Sequence, residues 1–327
     1  MIDSYHRPIT YLRISVTDHC NLRCVYCMPP EGTRGNAQEA LLTDEEIIRV
    51  AQAAARLGVR RVRLTGGEPL VRAGLPGLVS ALAKVPGIEE VSLTTNGVLL
   101  GRMAQALASA GLRRVNVSLD TLSEERFQHI SRVGRGIERI LDGIRAAERH
   151  GLAPIKINAV VARGVNDDEV ASLARLTLSE NWHVRFIELM PVGQCATWDE
   201  ARFVPAAEMK MRLEAQVGPL TPAASPGGCG PANYFRLPQA RATVGFITSV
   251  SRHFCRACNR LRLTADGKLR PCLLSDAELD LRAALRSGVA IDDLCALIQQ
   301  AAALKPAGHR LAEHSIPLER VMAQIGG

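Results

Sequence analysis

Six of the nine cysteines in this 327-residue chain fall into two sets of three, and three thiolates on a short span are a means of holding metal. Cys20, Cys24 and Cys27 lie within Asp18-His19-Cys20-Asn21-Leu22-Arg23-Cys24-Val25-Tyr26-Cys27-Met28. Soft sulfur ligands suit an iron–sulfur cluster, and with no fourth cysteine close by, a four-iron cluster would keep one iron unligated by protein. A zinc site completed by His19 is the alternative these residue types leave open, although structural zinc sites pair such a set with a second pair farther along. Cys255, Cys258 and Cys272 form the second set, and Asp266-Gly267 predicts a hairpin turn that folds Cys272 back toward the other two. Here His253 is the residue that a zinc site would recruit. Cys195, Cys229 and Cys295 belong to neither set and read as ordinary thiols, Cys229 within a Gly-rich loop.

The charge around the second set points to an anion. Arg252, Arg256, Arg260, Arg262, Lys268 and Arg270 stand against Asp266 alone, a local excess of five positive charges. A solvated basic face is the plain reading of such a run. Arg260 and Arg262, however, alternate along an expected strand and so share one face, where two guanidinium groups suit a bidentate grip on phosphate oxygens.

Positioning these groups requires a scaffold. Strand patterns fall at residues 11–16, 60–64, 90–95, 113–119, 154–161 and 183–189, with helical patterns at 75–84, 102–110, 136–150 and 166–179 between them. Another helix starts near Thr43, where Thr43-Asp44-Glu45-Glu46 fits a capping box and Ile47, Val50, Ala51 and Ala54 make one apolar stripe. Six strands alternating with helices imply right-handed crossovers and a parallel sheet. The count falls short of eight, which favours an incomplete (β/α)6 partial TIM barrel, an α/β fold, over a closed barrel. A flat doubly wound sheet has the same local pattern. Residues 217–233 turn rich in Gly and Pro and read as a linker. Short strands within 234–248 and 260–270 and two helices from Glu278 follow, so the expected division is 1–224 and 225–327, the second a smaller α+β domain covering the barrel mouth. In this architecture ligands gather at the C-terminal ends of strands, and Cys20–Cys27 follows the first one directly.

At this point a resemblance becomes specific. The C-x₃-C-x₂-C spacing with Tyr26 before the last cysteine resembles the radical S-adenosylmethionine enzymes, and Thr65-Gly66-Gly67-Glu68-Pro69 after the second strand is similar to their GGEP motif. A Gly-Gly turn alone is an ordinary strand end; its physical use beside a cluster is to let the backbone approach a ligand closely. The resemblance implies an open iron that chelates S-adenosylmethionine and a one-electron cleavage that yields a 5′-deoxyadenosyl radical. Asn259-Arg260-Leu261-Arg262-Leu263-Thr264 between the second set's ligands, the match over nearly the whole chain, and the terminal Gly326-Gly327 resemble one branch of that superfamily, the MoaA-like GTP 3′,8-cyclases of molybdenum cofactor biosynthesis.

That likeness implies two [4Fe-4S] clusters held by Cys20, Cys24, Cys27, Cys255, Cys258 and Cys272. It implies cofactor contacts at Tyr26, Gly67, Ser118 and Met190, and GTP contacts at Arg13, Arg63, Thr94, Lys156, Arg260, Leu261 (through its backbone) and Arg262. Arg13, Gly326 and Gly327 would serve catalysis. The expected product is (8S)-3′,8-cyclo-7,8-dihydroguanosine 5′-triphosphate, passed to a MoaC-like cyclic pyranopterin monophosphate synthase, with a reductase or flavodoxin-type protein as electron donor. A radical enzyme that modifies a peptide is the rival within the superfamily, but such enzymes carry a cysteine-richer C-terminal region.

Composition limits the remaining classes. Hydrophobic residues make up 47% and charged residues 22%, an ordinary globular balance. Six Phe, two Trp and four Tyr leave little for base stacking, so the net charge of +7 is not read as nucleic-acid binding. No run approaches the roughly 20 apolar residues of a membrane span, and Met1–Pro8 has no apolar run of a secretory leader. A cytoplasmic enzyme is expected, where clustered cysteines are metal ligands rather than disulfides. The oligomeric state, a homodimer included, is left open by the sequence.

Overall fold

Short apolar-alternating runs and amphipathic stretches follow one another from Tyr11 onward, and the computed structural model turns them into consecutive β/α units. It describes residues 1–33, 38–192, 200–228, 230–311 and 319–326. The units are β1 (Tyr11–Ser15), α1 (Asp44–Arg56), β2 (Arg61–Thr65), α2 (Leu75–Ala83), β3 (Glu90–Thr95), α3 (Leu100–Ser109), β4 (Arg114–Ser118), α4 (Glu124–Ser131), α5 (Ile137–Arg149), β5 (Lys156–Val161), α6 (Val170–Ser179) and β6 (His183–Glu188). Each of these six strands pairs in parallel with the next. Helix α1 starts on the expected capping box: Glu46 N donates to Thr43 Oγ1 at 3.2 Å and Thr43 N donates to the Glu46 carboxylate at 2.8 Å. Its stripe of Ile47, Val50, Ala51 and Ala54 is fully buried.

Besides the one-turn helix at Met322–Ile325, two helices have no counterpart in the sequence reading. Helix α4 is short and mostly polar, so periodicity is weak there, although Ser123 caps it by accepting from Arg126 N at 3.4 Å. The other, α7 (Ala206–Val217), follows Pro205 directly. The chain continues with β7 (Thr221–Pro222), β8 (Asn233–Arg236), β9 (Val244–Ile247), β10 (Arg260–Leu263), β11 (Lys268–Arg270), β12 (Leu279–Asp280), α8 (Leu281–Arg286), α9 (Ile291–Ala303) and α10 (Met322–Ile325). Strands β10 and β11 form the expected antiparallel hairpin, with Gly267 at its turn in the left-handed region (φ +83°).

These late strands build no sheet of their own. Among the described residues the strand order is β12-β11-β10-β1-β2-β3-β4-β5-β6-β9-β8-β7, a single open sheet of twelve strands. Strand β10 joins one edge parallel to β1, and β9 joins the other parallel to β6. The C-terminal segment thus clasps the six-unit half-barrel from both sides.

Alternation decides which face of the sheet does what. Leu12, Ile14, Val62, Leu64, Val91, Leu93, Val115, Val117, Ile157, Ala159, Val184 and Phe186 join the helices in one hydrophobic core. The residues between them on the opposite face are polar: Arg13 and Ser15, Arg63 and Thr65, Ser92 and Thr94, Arg114 and Asn116, Lys156 and Asn158, Arg185. A parallel sheet covered on both faces by apolar layers would not spare such residues. This inner face is built for a polar ligand.

Candidate functional site

The first cysteine set leaves β1 at its C-terminal end, where Gly67 N donates to Thr17 O and Glu68 N to His19 O, both at 2.8 Å. The glycines after β2 are required by this contact: a Cβ on Gly66 would fall 2.4 Å from Thr17 O, and one on Gly67 2.3 Å from His19 O. This close approach is made to the cysteine loop itself. Glu68 is buried and anchors the neighbouring strand end, accepting from Thr95 Oγ1 (2.6 Å), Leu70 N (3.0 Å) and Asn96 N (2.7 Å); burial pushes its carboxyl up to about 7.

Within the loop, Cys27 N donates to Cys24 O at 2.9 Å, a tight turn that draws two ligands together. Leu22 N approaches Cys20 Sγ at 3.4 Å and Asn96 Nδ2 at 3.9 Å. Burial first, and then the neighbouring Cys27, Asp120 and Cys20, hold the Cys24 thiol well above its usual range. Burial also raises Cys20. Cys20 and Cys24, crowded on one loop, are each unfavourable to ionise alone, and a bound metal cation is what removes that penalty. The donor set therefore fits an iron–sulfur group. His19 is exposed, its Nε2 lying 3.9 Å from Asp18, so the chain does not draw it into the trio. Tyr26 donates to Asp120 Oδ2, while Asp120 Oδ1 accepts from Val160 N at 2.8 Å; burial lifts the Asp120 carboxyl to about 6.

Behind this loop the inner face carries a row of cations. Pairing aligns Arg262 with Arg13 and Arg13 with Arg63 across β10, β1 and β2. Asn116 with Lys156 and Asn158 with Arg185 extend the row through β4, β5 and β6. Arg63 Nη1 donates to Thr94 Oγ1 at 3.3 Å. Asn116, with its amide oxygen turned to them, accepts from Arg63 and from Arg185 Nη2, the latter at 2.9 Å. Burial, then the mutual repulsion of Arg262, Arg63 and Arg260, pushes Arg13 well below its usual range. Burial and neighbouring arginines take Lys156 down to about 7 and Arg262 to about 10. Like charges packed this closely out of water are costly unless an anion joins them.

The second set lies at the opposite end of the strands from the first. Cys258 precedes β10, which runs parallel to β1, whereas Cys20 follows β1. One five-residue strand separates the two ends, about 16 Å. Cys258 N donates to Cys255 O at 3.1 Å, the same tight turn as in the first trio. Burial opposes ionisation of Cys258, but Arg260 and Lys305 outweigh it and bring the thiol down to about 7. Arg7, buried and paired with Asp3, donates to Cys255 O at 2.8 Å and to Pro306 O at 2.7 Å. The ring nitrogens of His253 and His309 lie with Cys255 Sγ inside a 4.8 Å group, so the zinc alternative keeps a geometric basis at this end.

Of the residues singled out in the sequence, Arg13, Arg63, Thr94, Lys156, Arg260 and Arg262 are brought together on the inner face. Leu261 points into the core and offers only its backbone. Ser118 ends β4, Met190 lies two residues beyond β6, and both are half-buried near the cysteine loop's strand ends. Gly326 accepts from Arg262 Nη1 at 3.2 Å; Gly327, Cys195 and Cys229 lie outside the described residues. Cys295 is a half-buried thiol that donates to Ala53 O at 3.5 Å. The local excess of five positive charges needs correction. Lys268 pairs with Asp280 at 2.5 Å, and Arg270 pairs with Glu278 and, at 3.5 Å, Asp276, acids supplied by the following segment. Arg114, Asn116, Asn158, Arg185 and Lys305 escaped the sequence reading. For the first four the signal was present, since Arg114-Val115-Asn116-Val117, Lys156-Ile157-Asn158-Ala159 and His183-Val184-Arg185-Phe186 alternate polar and apolar residues.

Comparison with known proteins bears on this arrangement. The family described as Radical SAM superfamily matches residues 14–177, and the one described as Molybdenum Cofactor Synthesis C matches 182–311. A GTP 3′,8-cyclase of Pelotomaculum thermopropionicum is 54% identical over 327 residues, covering 100% of both chains. One from Moorella thermoacetica is 52% identical, again covering 100% of both. Among solved structures, Streptococcus suis SuiB bound to S-adenosylmethionine superposes with a TM-score of 0.64 at 16% identity, covering 90% of this chain and 68% of that one, a likeness of fold alone.

Proposed function

Because the chain belongs to the GTP 3′,8-cyclase family of the radical S-adenosylmethionine superfamily, we propose that its two cysteine trios and the cation row between them form one active site for GTP. Cys20, Cys24 and Cys27 would hold a [4Fe-4S] cluster whose open iron takes S-adenosylmethionine. Cys255, Cys258 and Cys272 would hold a second cluster with an iron open toward the guanine. When bound, the first cluster and its cofactor supply the radical that starts the cyclisation. The chain's own task is to grip, align and seal.

The cation row carries this reading. Arg13, Arg63, Lys156, Arg260 and Arg262 lie on one buried face between the trios, with Thr94 beside Arg63. A triphosphate is the kind of anion that relieves their repulsion, and guanidinium forks fix its orientation. At the other end, Val25, Tyr26, Val160, Leu189, Asn166 and Arg202 line a small cavity beside the first cysteine loop. Asp120 holds Tyr26 at that wall. On this reading Gly67, through its backbone, and Ser118 contact the methionine part, and Gly326, which accepts from Arg262, brings the tail to the row beside Arg13.

Anaerobic incubation of the reconstituted protein with GTP, S-adenosylmethionine and dithionite tests this directly. Mass analysis should find 5′-deoxyadenosine together with a cyclised nucleotide isomeric with GTP. Deoxyadenosine formed with no GTP-derived product would overturn the substrate assignment, and zinc in place of iron at both trios would overturn the chemistry. On the same reading the enzyme acts in the cytoplasm, draws electrons from a reductase or flavodoxin-type donor, and hands its product to a MoaC-like synthase. No helix among the described residues is long and apolar enough to cross a membrane.

A further inference from the structure

Lys305, in the turn after α9, is 3% exposed, and among the described residues no carboxylate pairs with it. Its Nζ donates instead to Arg260 O at 2.9 Å and to Pro271 O at 2.6 Å. Arg260 lies two residues after Cys258, and Pro271 immediately precedes Cys272. The same cation favours the ionised form of Cys258. A lysine has three N–H donors, and here two of them go to the two backbone arms that carry ligands.

Two consequences follow. The C-x₂-C turn and Cys272 lie on opposite sides of the β10–β11 hairpin, and Lys305 ties the carbonyls beside both, fixing the spacing of the trio. Its charge, buried without a carboxylate, is balanced by the sulfur ligands themselves. Hydrogen bonds to ligand sulfur and nearby charge are among the terms that set a cluster's reduction potential.

We propose that Lys305 is a positioning residue for the second iron–sulfur group, clamping Cys258 and Cys272 at their spacing and holding the group at a higher reduction potential than the same ligands would give alone. This rests on the assignment of a cluster to Cys255, Cys258 and Cys272. A cation nearby favours the more negative, reduced state, so its removal lowers the potential.

The experiment uses a full-length parent in which Cys20, Cys24 and Cys27 are serine, so that only the second group is read. An iron- and sulfide-free parent would remove the cluster assignment, and this inference with it. In a parent that binds iron, Lys305→Met and the smaller change Lys305→Gln should both titrate at lower potential. At the potential that reduces half of the parent's clusters, the reduced signal in electron paramagnetic resonance should fall several-fold. Both variants should lose iron to a chelator faster, and Lys305→Arg should recover the potential. Reduction at the parent's potential in both neutral variants, with the parent's rate of iron loss, would overturn the proposal.

Discussion

Arg262 donates from Nη1 to the carbonyl of Gly326 at 3.2 Å, which seats the end of the chain on the arginine row. Gly326 adopts φ +73°, and a Cβ there would lie 2.8 Å from Thr65 Cγ2 and 3.2 Å from Ser15 Cβ. Those are the last residues of β2 and β1, so the tail crosses the strand ends from which the first cysteine loop departs. The contact joins a residue beside the second trio to the rim that holds the first.

Gly326→Ala should therefore separate folding from turnover. An L-residue at that φ costs about 1–2 kcal/mol, and the tail relieves it by lifting off, leaving the core intact. Thermal unfolding should be unchanged while cyclised product falls on the order of 10- to 100-fold. Uncoupled 5′-deoxyadenosine formation should persist. Deleting both glycines with full turnover retained would remove the tail from the active site.

The arginines give a second separable effect. Charge-assisted hydrogen bonds contribute roughly 1.5–3 kcal/mol, so Arg260→Ala and Arg262→Ala should each weaken GTP about 10- to 100-fold. Reductive cleavage of S-adenosylmethionine should stay largely intact. Equilibrium titration with GTP checks this, and unchanged affinity in both variants would sink the phosphate role.

The six-strand body was legible because its strands alternate and α1 opens on a capping box; Glu90–Thr95 even falls on the expected residues. Arg185 and Asn116 were passed over because one polar residue inside an apolar strand reads as filler until pairing shows several on one face. The edge positions of β9 and β10 have no local signal at all, since parallel pairing to β6 and β1 is decided by distant segments. Lys305 was invisible for the same reason: its partners lie 34 and 45 residues away in sequence. Arg270 misled in the other direction, because Glu278, which pairs with it, comes just after the stretch whose charge was counted.

Lys156 makes GTP binding pH-dependent in a calculable direction. Burial, with Arg185, Arg114 and Arg63, lowers its pKa from 10.5 to about 7, Glu90 opposing weakly. Between those values the unfolded chain holds a proton that the folded one lacks, so the free protein gains stability as pH rises from 7 toward 10. A bound triphosphate restores the charge, so GTP should bind with proton uptake near pH 8 and with falling affinity as pH rises above 7. Calorimetry in two buffers of different ionisation enthalpy should show the uptake, and Lys156→Met should abolish it. Equal heats in both buffers for the unmodified chain would contradict the assignment.

Gly67→Ala tests whether the turn after β2 supports the first cysteine loop. The new Cβ would lie 2.3 Å from His19 O, 2.6 Å from His19 C and 2.8 Å from Asp18 O. All three are backbone atoms, so no rotamer change relieves the clash, and either the turn or the loop must move. Overpacking of this kind costs typically 1–3 kcal/mol, and the loop that moves carries Cys20. Gly77→Ala is the control, because its Cβ would meet nothing within 4 Å and it lies in α2, where alanine is the better helix former. The expected result is a lower unfolding temperature and loss of the iron held by the first trio in Gly67→Ala, with iron at the second trio retained. Gly77→Ala should keep both and unfold at the same temperature or slightly higher. A Gly67→Ala protein with full iron and unaltered unfolding would mean that the loop is set by its own turns, and that the paired glycines serve the ligand alone.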